Sequence, residues 1–246
     1  MLDIPWEAFS IILIIFILAG MTQGVMGFGF GIVAMTLLPL TMSLKDAITL
    51  LAIMNAIMMC LSLYWHKSSF QWGEARKLLI GASVGIPIGV YIVAVLPERI
   101  LIIILGASML FVGINYFFTR HRKARPRIGP AEYPIGMFAG ILAAAFNMGG
   151  PPVVAYAYSR TWTVDQAKAV LAAIFVVTSV SRLFFIGYTG EDLHLIFSLT
   201  AILVIPIAII LRLGISIGRK VPHEFLRPIV FAYLAVIGVY YVFWHA

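Results

Sequence analysis

Long apolar runs separated by short polar connectors organise this 246-residue chain. A helix needs about 20 apolar residues to cross a bilayer's hydrocarbon core. Six segments supply that length without interruption: 44–65, 75–96, 100–118, 167–188, 193–213 and 225–243. Two further apolar regions are punctuated. Region 8–40 is too long for one simple span and carries the run Gly24-Val25-Met26-Gly27-Phe28-Gly29-Phe30-Gly31. Region 131–158 carries Asn147-Met148-Gly149-Gly150-Pro151-Pro152. Each pattern predicts two short half-helices of roughly 10 to 15 residues around an unwound centre, too short to cross singly.

The punctuated regions are related to one another. A shift of 120 positions places Ala19-Gly20 on Ala139-Gly140, Gly29 on Gly149, Val33 on Val153, Thr41 on Thr161 and Leu51-Ala52 on Leu171-Ala172. Later the shift becomes 125, so that Gly89 meets Gly214, Pro97 meets Pro222, Gly113 meets Gly238, and Tyr116 and Phe118 meet Tyr241 and Phe243. The expected organisation is a first repeat over 1–120, a basic linker over 121–130 and a second repeat over 131–246. Each repeat is a broken, re-entrant helix pair plus three transmembrane helices, in an all-α polytopic membrane protein.

Composition agrees: 62% of the residues are hydrophobic and 11% charged, against about a quarter charged in a soluble domain. The net charge of +7 does not indicate nucleic acid, because the basic residues sit at the ends of apolar segments, where cytoplasmic loops collect them. If each broken region enters and leaves on one side, that side receives 14 basic residues: Lys67, Arg76, Lys77, Arg120, Arg122, Lys123, Arg125, Arg127, Arg160, Lys168, Arg212, Arg219, Lys220 and Arg227. The opposite side receives Lys45 and Arg99, together with Asp3, Glu7, Asp46, Glu98, Glu191 and Asp192. If each broken region crosses once instead, the basic count is 8 against 8. The positive-inside rule prefers the first arrangement, which makes the halves inverted repeats with both termini outside. The N-terminus lacks the basic region of a cleaved signal peptide.

Inverted repeats with interrupted helices are a recurrent plan for secondary transporters. Helix starts inside the membrane direct amide hydrogens and partial positive charge into the break, which suits an anion. Gly27, Gly29 and Gly31, with Gly149 and Gly150, permit close backbone approach. Pro151 suits a first helical turn, where its missing N–H leaves no orphan. Gln23 and Asn147 are candidate hydrogen-bonding residues, and Phe28, Phe30 and Met148 would shape the cavity. Arg182, the charge placed well inside a span, reads equally as a counter-charge for an anion or as a side chain that snorkels to the interface near Tyr188. Gly81, Gly85 and Gly89 read as a helix-packing stripe, and Asn55 and Asn115 as helix-to-helix hydrogen-bonding groups.

Enzyme chemistry finds little support in the sequence. All ten acidic residues lie in loops or at span ends, His66, His121, His194, His223 and His245 show no metal-ligand spacing, and no nucleophile turn or Walker-type loop is present. The lone Cys60 gives no disulfide framework. No catalytic residue, metal or cofactor is expected.

The glycine run 24–31 followed by Leu37-Leu38-Pro39-Leu40, and Gly140 followed by Asn147-Met148-Gly149-Gly150-Pro151-Pro152, resemble the TauE/SafE-type sulfite exporter family, also grouped as toluene-sulfonate uptake permeases. The likeness covers essentially the whole chain. It implies a bacterial inner-membrane transporter of small sulfur anions such as sulfite, sulfoacetate or related sulfonates, with Gly27, Gly29, Gly31, Asn147, Gly149, Gly150 and Pro151 bordering the path. The expected function is export by alternating access, with the anion between the breaks. An anion channel of the same fold and a membrane-embedded enzyme are the alternatives. The expected partners are a small anion and the lipid bilayer, with a homodimer as the assembly to test and no nucleic acid.

Overall fold

The computed structural model describes residues 6–119, 131–158, 162–186, 193–220 and 223–243. The linker 121–130, with Arg122, Lys123, Arg125 and Arg127, lies outside the described residues, as do Arg120, Arg160 and Tyr188. Ten α-helices are described: α1 Trp6–Met26, α2 Phe30–Leu37, α3 Leu44–Trp65, α4 Trp72–Val95, α5 Glu98–Thr119, α6 Glu132–Phe146, α7 Gly150–Tyr158, α8 Val164–Ile186, α9 Leu193–Gly218 and α10 His223–Phe243. Short 3₁₀ turns follow α2 at Leu38–Leu40 and α3 at Lys67–Ser69. No strand occurs among the described residues. Six of the helices are long and apolar enough to cross a membrane.

Local chemistry sets the helix starts. At α3 the Ser43 hydroxyl accepts the Asp46 amide at 3.1 Å and donates to its carboxylate at 2.6 Å. At α8 a capping box closes, Gln166 N–H on Thr163 Oγ1 at 3.2 Å and Thr163 N–H on Gln166 Oε1 at 2.9 Å. This box begins α8 three residues before the apolar run. Lys168 was expected in a loop, yet it lies in the second turn of the helix. Likewise α9 continues through Arg212, which stacks over the Trp65 ring at 5.2 Å.

Small residues determine how the helices meet. Gly81, Gly85 and Gly89 of α4 lie against Tyr133, Met137 and Ile141 of α6, with both sets rising together, so the two helices run parallel. α1 and α9 are parallel by the same test: Gly20 meets Ile207, Gly24 meets Gly214, and Gly218 meets Val25. In contrast, Gly106 faces Gly238 while Gly113 faces Phe231, which makes α5 and α10 antiparallel. Asn55 to Ser179 at 3.0 Å and His66 to Asp165 at 3.9 Å make α3 and α8 antiparallel as well. A Cβ at Gly24 would sit 2.7 Å from the Gly214 Cα, so glycine is needed for this approach.

These contacts exchange under the offsets found in the sequence. Gly20 on Ile207 becomes Gly140 on Ala82, and Gly24 on Gly214 becomes Ala144 on Gly89. Gly113 on Phe231 becomes Gly238 on Gly106.

The directions also trace the broken regions. α1 ends beside Gly218, near the end of α9, at the end of the bundle that also holds Arg212, Trp65 and His66. α3 starts at the opposite end, where the Leu44 amide donates to Glu98 at 2.6 Å. Residues 27–43 therefore carry the chain back. α6, parallel to α4, runs toward the Glu98 end, and residues 147–163 return to the start of α8 beside His66. The arms are less even than two short half-helices: α1 has 21 residues and α2 has 8, while α6 has 15 and α7 has 9. At about 1.5 Å per residue, α1 alone reaches roughly 31 Å, close to a full crossing.

Candidate functional site

Only three residues are unwound in each broken region. Gly27, Phe28 and Gly29 separate α1 from α2, and Asn147, Met148 and Gly149 separate α6 from α7. Gly27 and Gly29 hold positive φ of 81° and 113°, and Asn147 holds 56° in the left-handed region. Asparagine tolerates that conformation, and glycine adopts it without steric cost. Gly24 stays in α1 and Gly31 lies in the first turn of α2, so the glycine run serves three ends: packing, turning and crossing.

The two breaks cross in opposite directions. Gly31 lies against the carbonyl of Asn147, close enough that a Cβ would overlap it, and a Cβ at Gly150 would lie 3.6 Å from the Phe28 Cβ. Every residue from 23 to 36 and from 142 to 151 is buried. Phe28 packs against Phe231 at 5.9 Å between ring centroids, Phe30 packs against Phe16 at 5.7 Å, and Met148 is fully enclosed. Gly149 packs back on Ala139 and Ala143 of α6, and Pro151 occupies the first turn of α7.

The polar side chains expected to meet a ligand are engaged by the chain. Gln23 braces the first break: its Nε2 donates to the Gly27 carbonyl at 3.0 Å and contacts Met59 Sδ at 3.4 Å, while its Oε1 accepts the Phe30 amide at 3.2 Å. One of the first amides of α2 is thus satisfied within the protein, and Pro151 and Pro152 offer none. Asn147 donates from Nδ2 to the Ile48 carbonyl of α3 at 3.4 Å. Bare amides alone therefore contribute less positive potential than two generic helix starts would.

Cations supply the rest. The Arg182 guanidinium, 6% exposed, donates from Nη1 to the Ala144 carbonyl and, at 3.5 Å, to that of Ala145, in the last turn of α6. Buried there, Arg182 caps helix carbonyls and does not snorkel. Lys168, 4% exposed, does the same for α1: its Nζ reaches the Gly24 carbonyl at 3.4 Å and the Val25 carbonyl at 3.2 Å. The four carbonyls are equivalent under the 120-residue offset, yet both cations come from α8. Each meets the negative end of a helix dipole. Between them, Phe175 lies 3.4 Å from the position of a Gly150 Cβ. Residues 168, 175 and 182 recur every seventh position, so one face of α8 runs along the crossing with a cation on each flank.

Lys168 and Phe175 are the residues that the sequence reading missed. The readable signals were the capping box and the seven-residue spacing to Arg182. At the same end of the bundle His66 hydrogen-bonds the Ser62 carbonyl at 2.8 Å, and burial, with nearby Lys168, holds its imidazole below the usual histidine range. Glu132, at a span end as expected, is nonetheless buried. It accepts from Tyr156 of α7 at 2.6 Å and pairs with Lys77 at 3.0 Å, which ties the end of α7 to α4 and α6. At its own far end, α2 is tied to α10 through Thr36, which meets Tyr233 at 2.7 Å and Tyr241 at 2.8 Å. Among the described residues no group of three or more His, Cys, Asp or Glu comes together.

A bundle of apolar helices, several long enough to span a bilayer, with two interrupted helices crossing inside it defines an all-α multi-pass membrane protein. The profile of the family described as sulfite exporter TauE/SafE matches residues 12–241. The chain belongs to that family. It is also similar to a probable sulfite/organosulfonate exporter TauE of Cupriavidus necator, at 25% identity over 226 residues, covering 88% of this chain and 86% of the relative. No solved structure matches it.

Proposed function

We propose that this protein is a secondary transporter that exports small sulfur-containing anions, sulfite or organosulfonates, by alternating access across the crossing of its two broken helices. The observation that carries the reading is the arrangement of charge. The starts of α2 and α7 meet inside the bundle, and Lys168 and Arg182 flank them with the carbonyl ends of α1 and α6 neutralised. An anion entering between residues 27–31 and 147–151 would meet positive potential from both sides. The family and the Cupriavidus necator relative's name support sulfite or organosulfonate as the class.

The helix directions support inverted halves. A two-fold axis that exchanges α3 with α8, and α5 with α10, must lie perpendicular to those antiparallel pairs, hence in the membrane plane. Lys67, Arg76, Lys77, Arg212, Arg219 and Lys220 gather at the His66 end, which the positive-inside rule assigns to the cytoplasm of a bacterial inner membrane. Glu7, Lys45, Asp46, Glu98 and Arg99 occupy the other end. Because the crossing is closed on both sides here, transport requires the α8 face and the two breaks to part toward one end at a time. For a monovalent anion leaving an inside-negative cell, the potential supplies about 2.3 kcal/mol per 100 mV.

Proteoliposomes loaded with radiolabelled sulfite test the function. Saturable efflux that accelerates when an inside-negative potential is imposed is the expected result. No flux of sulfite, sulfoacetate or taurine would remove the proposal, and efflux that never saturates would favour a channel.

A further inference from the structure

Lys168 is held in an unusual way for a buried ammonium. Its three donor positions are served by two backbone carbonyls at 3.2 and 3.4 Å, longer than the 2.7–2.9 Å usual for charge-assisted bonds. Its carboxylate neighbour on α8, Asp165, lies one turn away and is largely exposed beside His66. Buried charges are ordinarily paired or fully hydrogen-bonded, and this one is met by helix-end dipoles equivalent to about half a charge. Arg182 differs in kind: it is a delocalised guanidinium whose Nη1 donates to the Ala144 and Ala145 carbonyls at the far flank. The Lys168 stem lies directly on Gly27, at the unwound residue itself, so a swing of the ammonium past Gly27 brings it to the crossing without passing any side chain at that position.

We propose that Lys168 is the anion ligand on the His66 side: its ammonium rests on the Gly24 and Val25 carbonyls when the crossing is closed and transfers to an oxygen of the transported oxyanion when the anion enters. The inference rests on the transport reading above and deepens it by naming the residue that takes the charge. The carbonyls act as a placeholder, holding the cation inside the protein between cycles. The exchange trades two long bonds to neutral groups for one to a full negative charge, which favours the loaded state only for an anion able to reach Gly27. A flexible point charge such as lysine suits this exchange better than a planar fork.

Sulfite binding to the purified full chain, measured by titration calorimetry, gives the test, alongside efflux from proteoliposomes. Wild type binds. Lys168→Met is expected to weaken sulfite binding about tenfold or more, the usual worth of one hydrogen bond between charged groups, while the protein stays monodisperse. Lys168→Arg is expected to keep binding within about threefold of wild type but to shift the sulfite-to-acetate preference, since a fork reads oxygens in pairs. Wild-type affinity in Lys168→Met would overturn the assignment and leave the transport reading standing. If Lys168→Met does not fold, an unchanged sulfite-to-acetate preference in Lys168→Arg would overturn it instead. Failure of the wild type to bind any of the anions would remove both readings.

Discussion

Gly31→Ala is expected to destabilise the protein by about 3 kcal/mol or more, at the upper end of what overpacking costs. The added methyl group would overlap the Asn147 carbonyl, and neither atom belongs to a side chain that can turn away. Relief would require the two breaks to separate along their whole crossing, which also pulls Phe28 from Gly150 and Asn147 from Ile48. Sulfite efflux should disappear together with the loss of thermal stability. Gly73→Ala is the matched control, because nothing lies within 4 Å of its added carbon. Equal melting behaviour for the two variants would show that residues 31 and 147 do not meet.

Arg182→Met is expected to separate activity from stability. The substitution removes the donor from the Ala144 and Ala145 carbonyls, a loss of about 1–3 kcal/mol for a buried acceptor. It also removes a buried cation whose desolvation costs several kcal/mol. The two effects oppose, so the folded protein should survive. Anion transport has no such compensation. Seven residues of α8 place Arg182 roughly 10 Å along the helix from Phe175, and a unit charge at that distance and an effective dielectric near 20 is worth ~1.7 kcal/mol. Sulfite efflux at low concentration should fall about 18-fold, with Arg182→Lys intermediate. Unchanged efflux in a stable Arg182→Met protein would show that the cation serves only α6.

Much of this architecture is legible in the amino-acid sequence. The interval 44–65 is bounded by Ser43 and by the polar run after Trp65, and α3 has those limits. The punctuated regions announce breaks because alternating glycines at 27, 29 and 31, and Asn147 followed by two glycines and two prolines, fit no continuous helix. What the periodicity does not reveal is how narrow a break is. Gly24 looks like part of the unwound run, yet its role is contact with Gly214, a partner 190 positions away. Gln23 reads as a ligand for substrate because a lone amide in an apolar run invites one, but a turn inside a helix needs its own acceptor and donor, and Gln23 supplies both.

Lys168 shows the same limit from the other side. Counting cations by loop assigns it to the cytoplasmic surface, since it stands two residues into an apolar run. The Thr163–Gln166 capping box moves the helix start outward, and the lysine becomes a buried group on the face that meets Gly27. Arg182 was visible as an intramembrane charge, but its partners, the last carbonyls of α6, depend on long-range packing that no local pattern encodes. The pairing of the two cations emerges only when α8 is seen against both broken helices.

Crystals grown with selenite, a heavier stand-in for sulfite, and measured at the selenium edge would test the central claim most directly. The account predicts an anomalous peak between residues 27–31 and 147–151, within reach of Lys168, and helices interrupted at both stretches. Continuous helices through 27–29 and 147–149, or selenium bound only elsewhere on the protein, would contradict it.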